Sequence, residues 1–333
     1  MTTNDQGRTA RTRSLAVVVP VYNSEQSIGR LVDKLVEELD PQVETLEIVL
    51  VNDGSTDGSH QAIRECYARH PAIVKYIRLA RNFGEHNAVM CGLRNVSAEA
   101  AVIVDDDFQN PPEEIMKLVT KLSMGFDVVY SEYAQKRHSH FRNLGSKFNN
   151  WMATRLLGKP HDLYLSSFKA LNKFLIDTIL RYDGPYPYID GLILRSTNSI
   201  GTALCEHRAR ATGQSNYNLI RLLRLWLNMF TSFSLKPLRI ATVLGIVMSG
   251  VGFLMAIYFL FSRITGIVFL HHEIPPGWAS IIISIVIFSG VQLCILGVIG
   301  EYIGRIFLTQ NREPQFVVRE VTGARGKDSS TDV

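Results

Sequence analysis

The chain predicts an α/β domain with a mainly parallel sheet, followed by an amphipathic juxtamembrane helix and a two-helix transmembrane hairpin. Three observations carry that expectation. Up to about residue 210, short apolar runs alternate with segments of helical period. Beyond residue 237, two stretches, about 240–261 and 278–299, are almost free of charge. Between these parts, residues 218–233 mix Leu, Ile, Trp, Met and Phe with Arg221 and Arg224, as a helix lying in a membrane interface or a subunit contact would.

The first apolar run, 15–19, is short and β-branched and meets Pro20, so it reads as a buried strand. Ile28, Leu31, Val32, Leu35, Val36 and Leu39 then recur at helical spacing, with Asn23 or Ser24 available as N-cap. Residues 46–51 give a second strand, and Asn52 to Ser59 a turn. A helix carrying Ala62, Ile63 and Cys66 leads to a third strand, 73–79. A helix around 86–94 precedes the apolar run 101–104, after which Pro111 or Pro112 opens another helix. Strands alternating with helices imply a parallel sheet covered on both faces.

Each charge-free stretch approximates the roughly 20 residues that a helix needs to cross a bilayer, and Gly245, Gly250 and Gly252 suit a membrane span. Arg208, Arg210, Arg221, Arg224, Lys236 and Arg239 precede the first; Arg305, Arg312, Arg319, Arg325 and Lys327 follow the second; the loop between holds only Arg263. Positive flanks stay inside, so the large domain and both termini are expected in the cytoplasm, on a multi-pass protein of the cytoplasmic membrane. Arg8, Arg11 and Arg13 before the first strand do not make a signal peptide, because the apolar run is too short and lacks a cleavage pattern. The expected organisation is a basic tail (1–13), an α/β domain (14–210), a juxtamembrane segment (211–237), a hairpin (238–307) and a tail (308–333). Cys66, Cys91, Cys205 and Cys294 are scattered, which suggests reduced thiols.

The apolar run 101–104 ends in Asp105, Asp106 and Asp107. Adjacent carboxylates at the tip of a buried strand repel one another unless a cation neutralises them; a solvated acidic turn is the other reading. In an extended segment Asp105 and Asp107 share a face and reach one ion together, while Asp106 faces elsewhere. Oxygen ligands favour Mg²⁺ or Mn²⁺ shared with phosphates. Ligands of parallel sheets bind at the carboxyl ends of strands. Those ends supply Tyr22 to cover a base, Asp53 to accept from a base or ribose, and Gly54 to permit close approach. Near the membrane, Arg210, Gly213, Ser215 and Tyr217 can hold a phosphate, or the segment can simply meet anionic lipids.

Val19-Pro20-Val21-Tyr22-Asn23, Val51-Asn52-Asp53-Gly54-Ser55, Arg81-Asn82-Phe83-Gly84 and the stretch from Asp105 to Glu114 together resemble the family 2 glycosyltransferases, with their Rossmann-like GT-A fold. More narrowly, with the hairpin and Gly300-Glu301-Tyr302-Ile303-Gly304-Arg305, the chain resembles the polyprenyl-phosphate glycosyltransferases, the group of bactoprenol glucosyltransferase, dolichol-phosphate mannose synthase and undecaprenyl-phosphate aminoarabinose transferase. The resemblance implies nucleotide-sugar contacts at Pro20, Tyr22, Asp53 and Ser55. It implies metal ligation around Asp105, Asp107 and Gln109, an acceptor-phosphate site from Arg210 to Tyr217, and a homo-oligomer. Asp107 and Arg210 become the catalytic candidates, joined by Asp162, for which Leu163 and Ser167 are the alternatives on another alignment.

The expected reaction moves a sugar, UDP-linked by resemblance, from a nucleotide diphosphate to a polyprenyl phosphate with inversion. The partners are then the nucleotide sugar, the lipid phosphate and the bilayer, with no nucleic acid. A processive polysaccharide synthase would carry Gln-x-x-Arg-Trp, whereas Leu225 separates Arg224 from Trp226 here. An inactive nucleotide-sugar sensor or scaffold is the alternative from another class.

Overall fold

A computed structural model of the protein describes residues 14–133, 163–184, 186–208, 278–311 and 313–323, with eight further positions between 243 and 261. The chain divides into an α/β unit, 1–217 with 312–333, and a second unit, 218–311.

In the α/β unit, β1 (Ser14–Val21), β2 (Thr45–Asn52), β3 (Val74–Leu79) and β4 (Ala100–Ile103) form a parallel core with β1 at its centre, paired to β2 and β4. The expected strands and helices of this half are present within a few residues. They are joined by β5 (Val128–Tyr133), β6 (Lys169–Asn172), β7 (Ile200–Cys205) and β8 (Val318–Thr322) in the order β7-β5-β6-β4-β1-β2-β3-β8. β6 runs antiparallel to β4 and β5, and β8 antiparallel to β3, so the sheet is mixed though mainly parallel.

The two faces of β1 are covered by different helices because alternate side chains point to opposite sides. Leu15, Val17, Val19 and Val21 share one buried cluster with Ile28, Leu31, Val32, Leu35 and Leu39 of α1 (Ile28–Leu39), with Ile63 and Cys66 of α2 (Ser59–Arg69), and with α4 (Ile115–Leu122). α3 (Glu85–Arg94) covers the other face. There Gly92 lets the helix approach the sheet: a Cβ on it would stand 2.4 Å from Cγ1 of Val18. A short 3₁₀ turn, Pro112–Glu114, precedes α4, so the helix starts later than the prolines suggested. Two further helices, α5 (Lys173–Ile179) and α6 (Ile189–Ser196), follow β6.

Of the tail expected from residue 308, residues 308–310 still belong to α7, whereas the described residues 313–323 belong to the α/β unit. The O of Val317 accepts from the N–H of Ala80, Arg64 pairs with Glu320 at 2.5 Å, and β8 completes the edge beyond β3.

In the second unit, α7 (Trp278–Gln310) is continuous over 33 residues, about 50 Å at 1.5 Å per residue. Among the described residues it contains one segment long and apolar enough to cross a membrane, Phe288–Gln310, which overlaps the 278–299 read in the sequence. The described positions of the first stretch, among them Val243, Ile246, Phe253 and Leu254, are helical and exposed. The interfacial helix expected at 218–233 lies outside the described residues.

Gly92→Val inserts carbon against Val18 and is expected to cost about 1–3 kcal/mol by overpacking. A thermal melt of the solubilised protein should fall by several degrees; an unchanged melt would refute the close contact.

Candidate functional site

The carboxyl ends of β1, β2, β3 and β4 gather at one rim, and hydrogen bonds between their loops fix it. After β1 the chain turns at Asn23, whose φ of 55° is one that Asn tolerates. Its N–H donates to Oγ of Ser55 at 3.0 Å, and its Oδ1 accepts from the N–H of Thr56 at 2.9 Å. Ser24 N–H donates to Oγ of Ser59 at 2.7 Å. These bonds join the ends of β1 and β2 into one surface. Tyr22 stands out from it, 49% exposed, as a base-covering ring requires.

Asp53 is only 3% exposed. Its carboxylate accepts the N–H groups of Phe83 at 2.7 Å and Gly84 at 2.9 Å, binding the loop after β3 to the end of β2. Burial raises its pKa above the usual carboxylate value, and the two N–H donors oppose that rise. Asp53 thus has a scaffolding role that its sequence position did not reveal. Gly54 is also reassigned. Its φ is +67°, and a Cβ there would lie 2.5 Å from the backbone of Arg81 and Asn82, so the close approach is to the neighbouring loop.

The acidic triplet does not follow strand alternation. β4 ends at Ile103, and Asp106 and Asp107 lie in a turn whose next residue, Phe108, has φ 59°, rare for a bulky side chain. Alternation needs extended backbone, so strand geometry does not set a common face for Asp105 and Asp107, and each of the three carboxylates has its own partner. Asp105 accepts from the hydroxyl of Ser167 at 2.5 Å, Asp106 from the hydroxyl of Ser24, and Asp107 from the N–H of Gln109 at 3.1 Å. Gln109 acts here through its main chain: its carbonyl accepts the N–H of Arg208 at 2.9 Å, tying the segment after β7 to the acidic turn. Asn110 continues the link, accepting from the Tyr133 hydroxyl, which also meets Ser166.

Beneath the triplet, Lys169 of β6 forms a buried ion pair with Asp190 of α6, which also accepts from the hydroxyl of Tyr130 at 2.9 Å. Tyr188 meets His86 edge-on at 5.3 Å between centroids. Burial lowers the His86 pKa to about 4, so the ring is neutral and serves packing. Pro20 lies in β1 opposite Val51. Asp162, Arg210, Ser215 and Tyr217 lie outside the described residues.

Ser24 and Ser167 are the orienting groups that sequence reading missed as such. Ser167 stands in the conspicuous Ser166-Ser167-Phe168-Lys169 run, whereas nothing local marks Ser24 as a partner of a residue 82 positions away.

Burial is the main cause that raises both Asp105 and Asp106 to about 6. For Asp105 the charge of Glu85 adds to the rise and the Ser167 bond opposes it; for Asp106 the Ser24 bond opposes and the charge of Asp105 adds. Among the described residues no three His, Cys, Asp or Glu side chains converge into a closed metal cage. Clustered carboxylate oxygens are the donor type that suits a hard cation taking its remaining ligands from a phosphate.

Because these folded-state pKa values exceed the ordinary 3.8, the contribution of the two carboxyls to stability is full below about pH 4 and lost as pH rises through 6. A divalent cation offsets that loss only where the groups are ionised. Mn²⁺ is therefore expected to raise the melting temperature clearly at pH 7.5 and little at pH 5. An equal shift at both values would remove the triplet as its site.

The description Glycosyl transferase family 2 belongs to a family model that matches residues 16–179. Undecaprenyl-phosphate 4-deoxy-4-formamido-L-arabinose transferase of Proteus mirabilis (strain HI4320) is 31% identical over 313 residues, 93% of this chain and 94% of that protein. The uncharacterized glycosyltransferase YkcC of Bacillus subtilis (strain 168) is 34% identical over 316 residues, 94% and 95% of the two chains. Glucosyl-3-phosphoglycerate synthase of Mycobacterium tuberculosis, solved with Mn²⁺ and UDP-glucose, shares the fold at a TM-score of 0.50 and 20% identity, over 70% of this chain and 78% of that one. With strand order, rim and full-length similarity in agreement, the chain belongs to glycosyl transferase family 2.

Proposed function

We propose that the protein is a membrane-anchored inverting glycosyltransferase that moves a sugar from a nucleotide diphosphate, UDP-linked, to undecaprenyl phosphate at the cytoplasmic face. The bond from Arg208 N–H to the carbonyl of Gln109 carries this reading. It begins the basic segment leading to Arg210 at the acidic turn, so donor and acceptor chemistry start from one place. The names of relatives such as the Proteus mirabilis enzyme supply the acceptor, and the solved neighbour with Mn²⁺ and UDP-glucose suggests the donor and metal. α7 and the stretch 240–261 provide the anchor, and the excess of Arg and Lys on the flanks sets its orientation.

The residues divide the work. Tyr22 covers the base, and Ser55, whose oxygen accepts from Asn23, uses its own proton to donate to the nucleotide. Ser24 and Ser167 hold Asp106 and Asp105 by their hydroxyls, and the Gln109 main chain holds Asp107. Asp105 and Asp107, with Gln109, would hold Mg²⁺ or Mn²⁺, which when bound stabilises the charge of a departing diphosphate. A phosphomonoester has a second pKa of about 6 and is already nucleophilic near neutral pH, so no strong base is needed. Arg210, Ser215 and Tyr217 orient that phosphate behind the anomeric carbon, and direct displacement inverts the centre.

Purified protein in lipid, given undecaprenyl phosphate and a panel of UDP-sugars, should release UDP only with metal and acceptor together, and the lipid product should be inverted. Donor binding without lipid product would favour a sensor. Asp105→Asn and Asp107→Asn should each lower transfer by about 10²-fold or more while membrane insertion persists. Arg210→Ala should raise KM for the lipid more than for the nucleotide sugar; an unchanged lipid KM would remove it from the phosphate site.

A further inference from the structure

The segment that follows α7 belongs to the α/β unit, and one of its side chains is buried there among polar partners. Gln315 is 6% exposed. Its Nε2 donates to the carbonyls of Tyr182 at 3.0 Å and Gly184 at 2.8 Å, and its Oε1 accepts from Arg94 of α3 at 3.2 Å. Phe316 lies beneath the Arg94 guanidinium at 5.3 Å. The same stretch is independently held by β8 and by the bond from Ala80 N–H to the O of Val317. Gln315 is therefore a fixed point, and the loop it grips is the dependent part.

The described residues of that loop, 182–184 and 186–188, lie between the Gln315 contacts and the candidate site. At its far end Tyr188 packs on His86, and Asp190 just beyond pairs with Lys169 beside the acidic triplet. Arg94 and His86 are eight residues apart on α3, about 12 Å along its axis, so the loop is held at both ends of one helix. Between the two anchors Tyr186 is 45% exposed. The loop leads into α6, whose Asp190 contacts β6, on the opposite side of β4 from the nucleotide candidates of β1 and β2.

We infer that Gln315 is a positioning residue that fixes the 182–188 loop, and through it the acceptor side of the site. The claim about the acceptor rests on the proposed function; the tether itself rests on the contacts above. Gln315→Glu is the informative variant, because it keeps the shape and the partner for Arg94 but sets a carboxylate against two carbonyl oxygens, which only accept. Losing two such bonds at a net 0.5–1.5 kcal/mol each corresponds to about tenfold or more.

The test uses the full-length protein in lipid nanodiscs. In Gln315→Glu, hydrogen exchange should rise across 182–190 and stay unchanged across 74–79 and 318–322. The acceptor kcat/KM should fall about tenfold while UDP affinity is retained. Glu320→Gln, which weakens the Arg64 and Thr322 contacts of the Glu320 carboxylate on β8, should leave both unchanged. Unchanged exchange at 182–190 overturns the tether whatever the enzyme does. Raised exchange with unchanged acceptor kcat/KM, or with activity and UDP affinity lost in parallel, overturns the positioning role. A wild-type protein without transfer refutes the functional reading instead, and the exchange data then judge the tether alone.

Discussion

Negative charge gathered at the end of a buried strand is the constraint around which the α/β unit is arranged. Asp105, Asp106 and Asp107 follow directly on Val104, which is fully buried, so burial and mutual repulsion act on them together. Two hydroxyls and one main-chain N–H give each carboxylate a donor, yet none brings a positive charge. Lys169, whose charge reaches Asp105, is already paired with Asp190. Carboxylates gathered in this way suit a cation, and a phosphate only through that cation.

The loops around these carboxylates hold one another more than they hold open a cavity. Asp53 could have faced a ligand, but its two oxygens secure Phe83 and Gly84. Gly54 lets the loops touch backbone to backbone. Such preorganisation fits a reaction whose proposed nucleophile is already charged, because orientation then counts for more than proton transfer. The rim is built as a rigid frame with Tyr22 projecting from it.

Much of this was legible from local pattern. The short apolar runs and helical repeats of residues 15–104 located four strands and three helices, because a strand covered on both faces is apolar throughout while a helix buries one stripe. The acidic triplet and the strand-end motifs were visible because turn and charge chemistry is written in adjacent residues. The partners of the three carboxylates were not, since they depend on where β4 stops and on the turn at Asp106 and Asp107. The later strands were hidden for another reason. β6 spans four residues and β8 five, too short for periodicity to speak.

By itself, the sequence determined a mainly parallel α/β domain of family 2 character, an acidic strand tip, and apolar stretches of membrane-spanning length, all features carried by neighbours along the chain. Tertiary structure alone decided that Ser24 and Ser167 hold carboxylates 82 and 62 positions away, and that the chain after α7 returns as β8. It also brought Gln315 to carbonyls 133 and 131 residues earlier. Those pairings leave no periodic trace, because a single hydroxyl or amide can satisfy its partner from any distance in sequence once packing brings the two together.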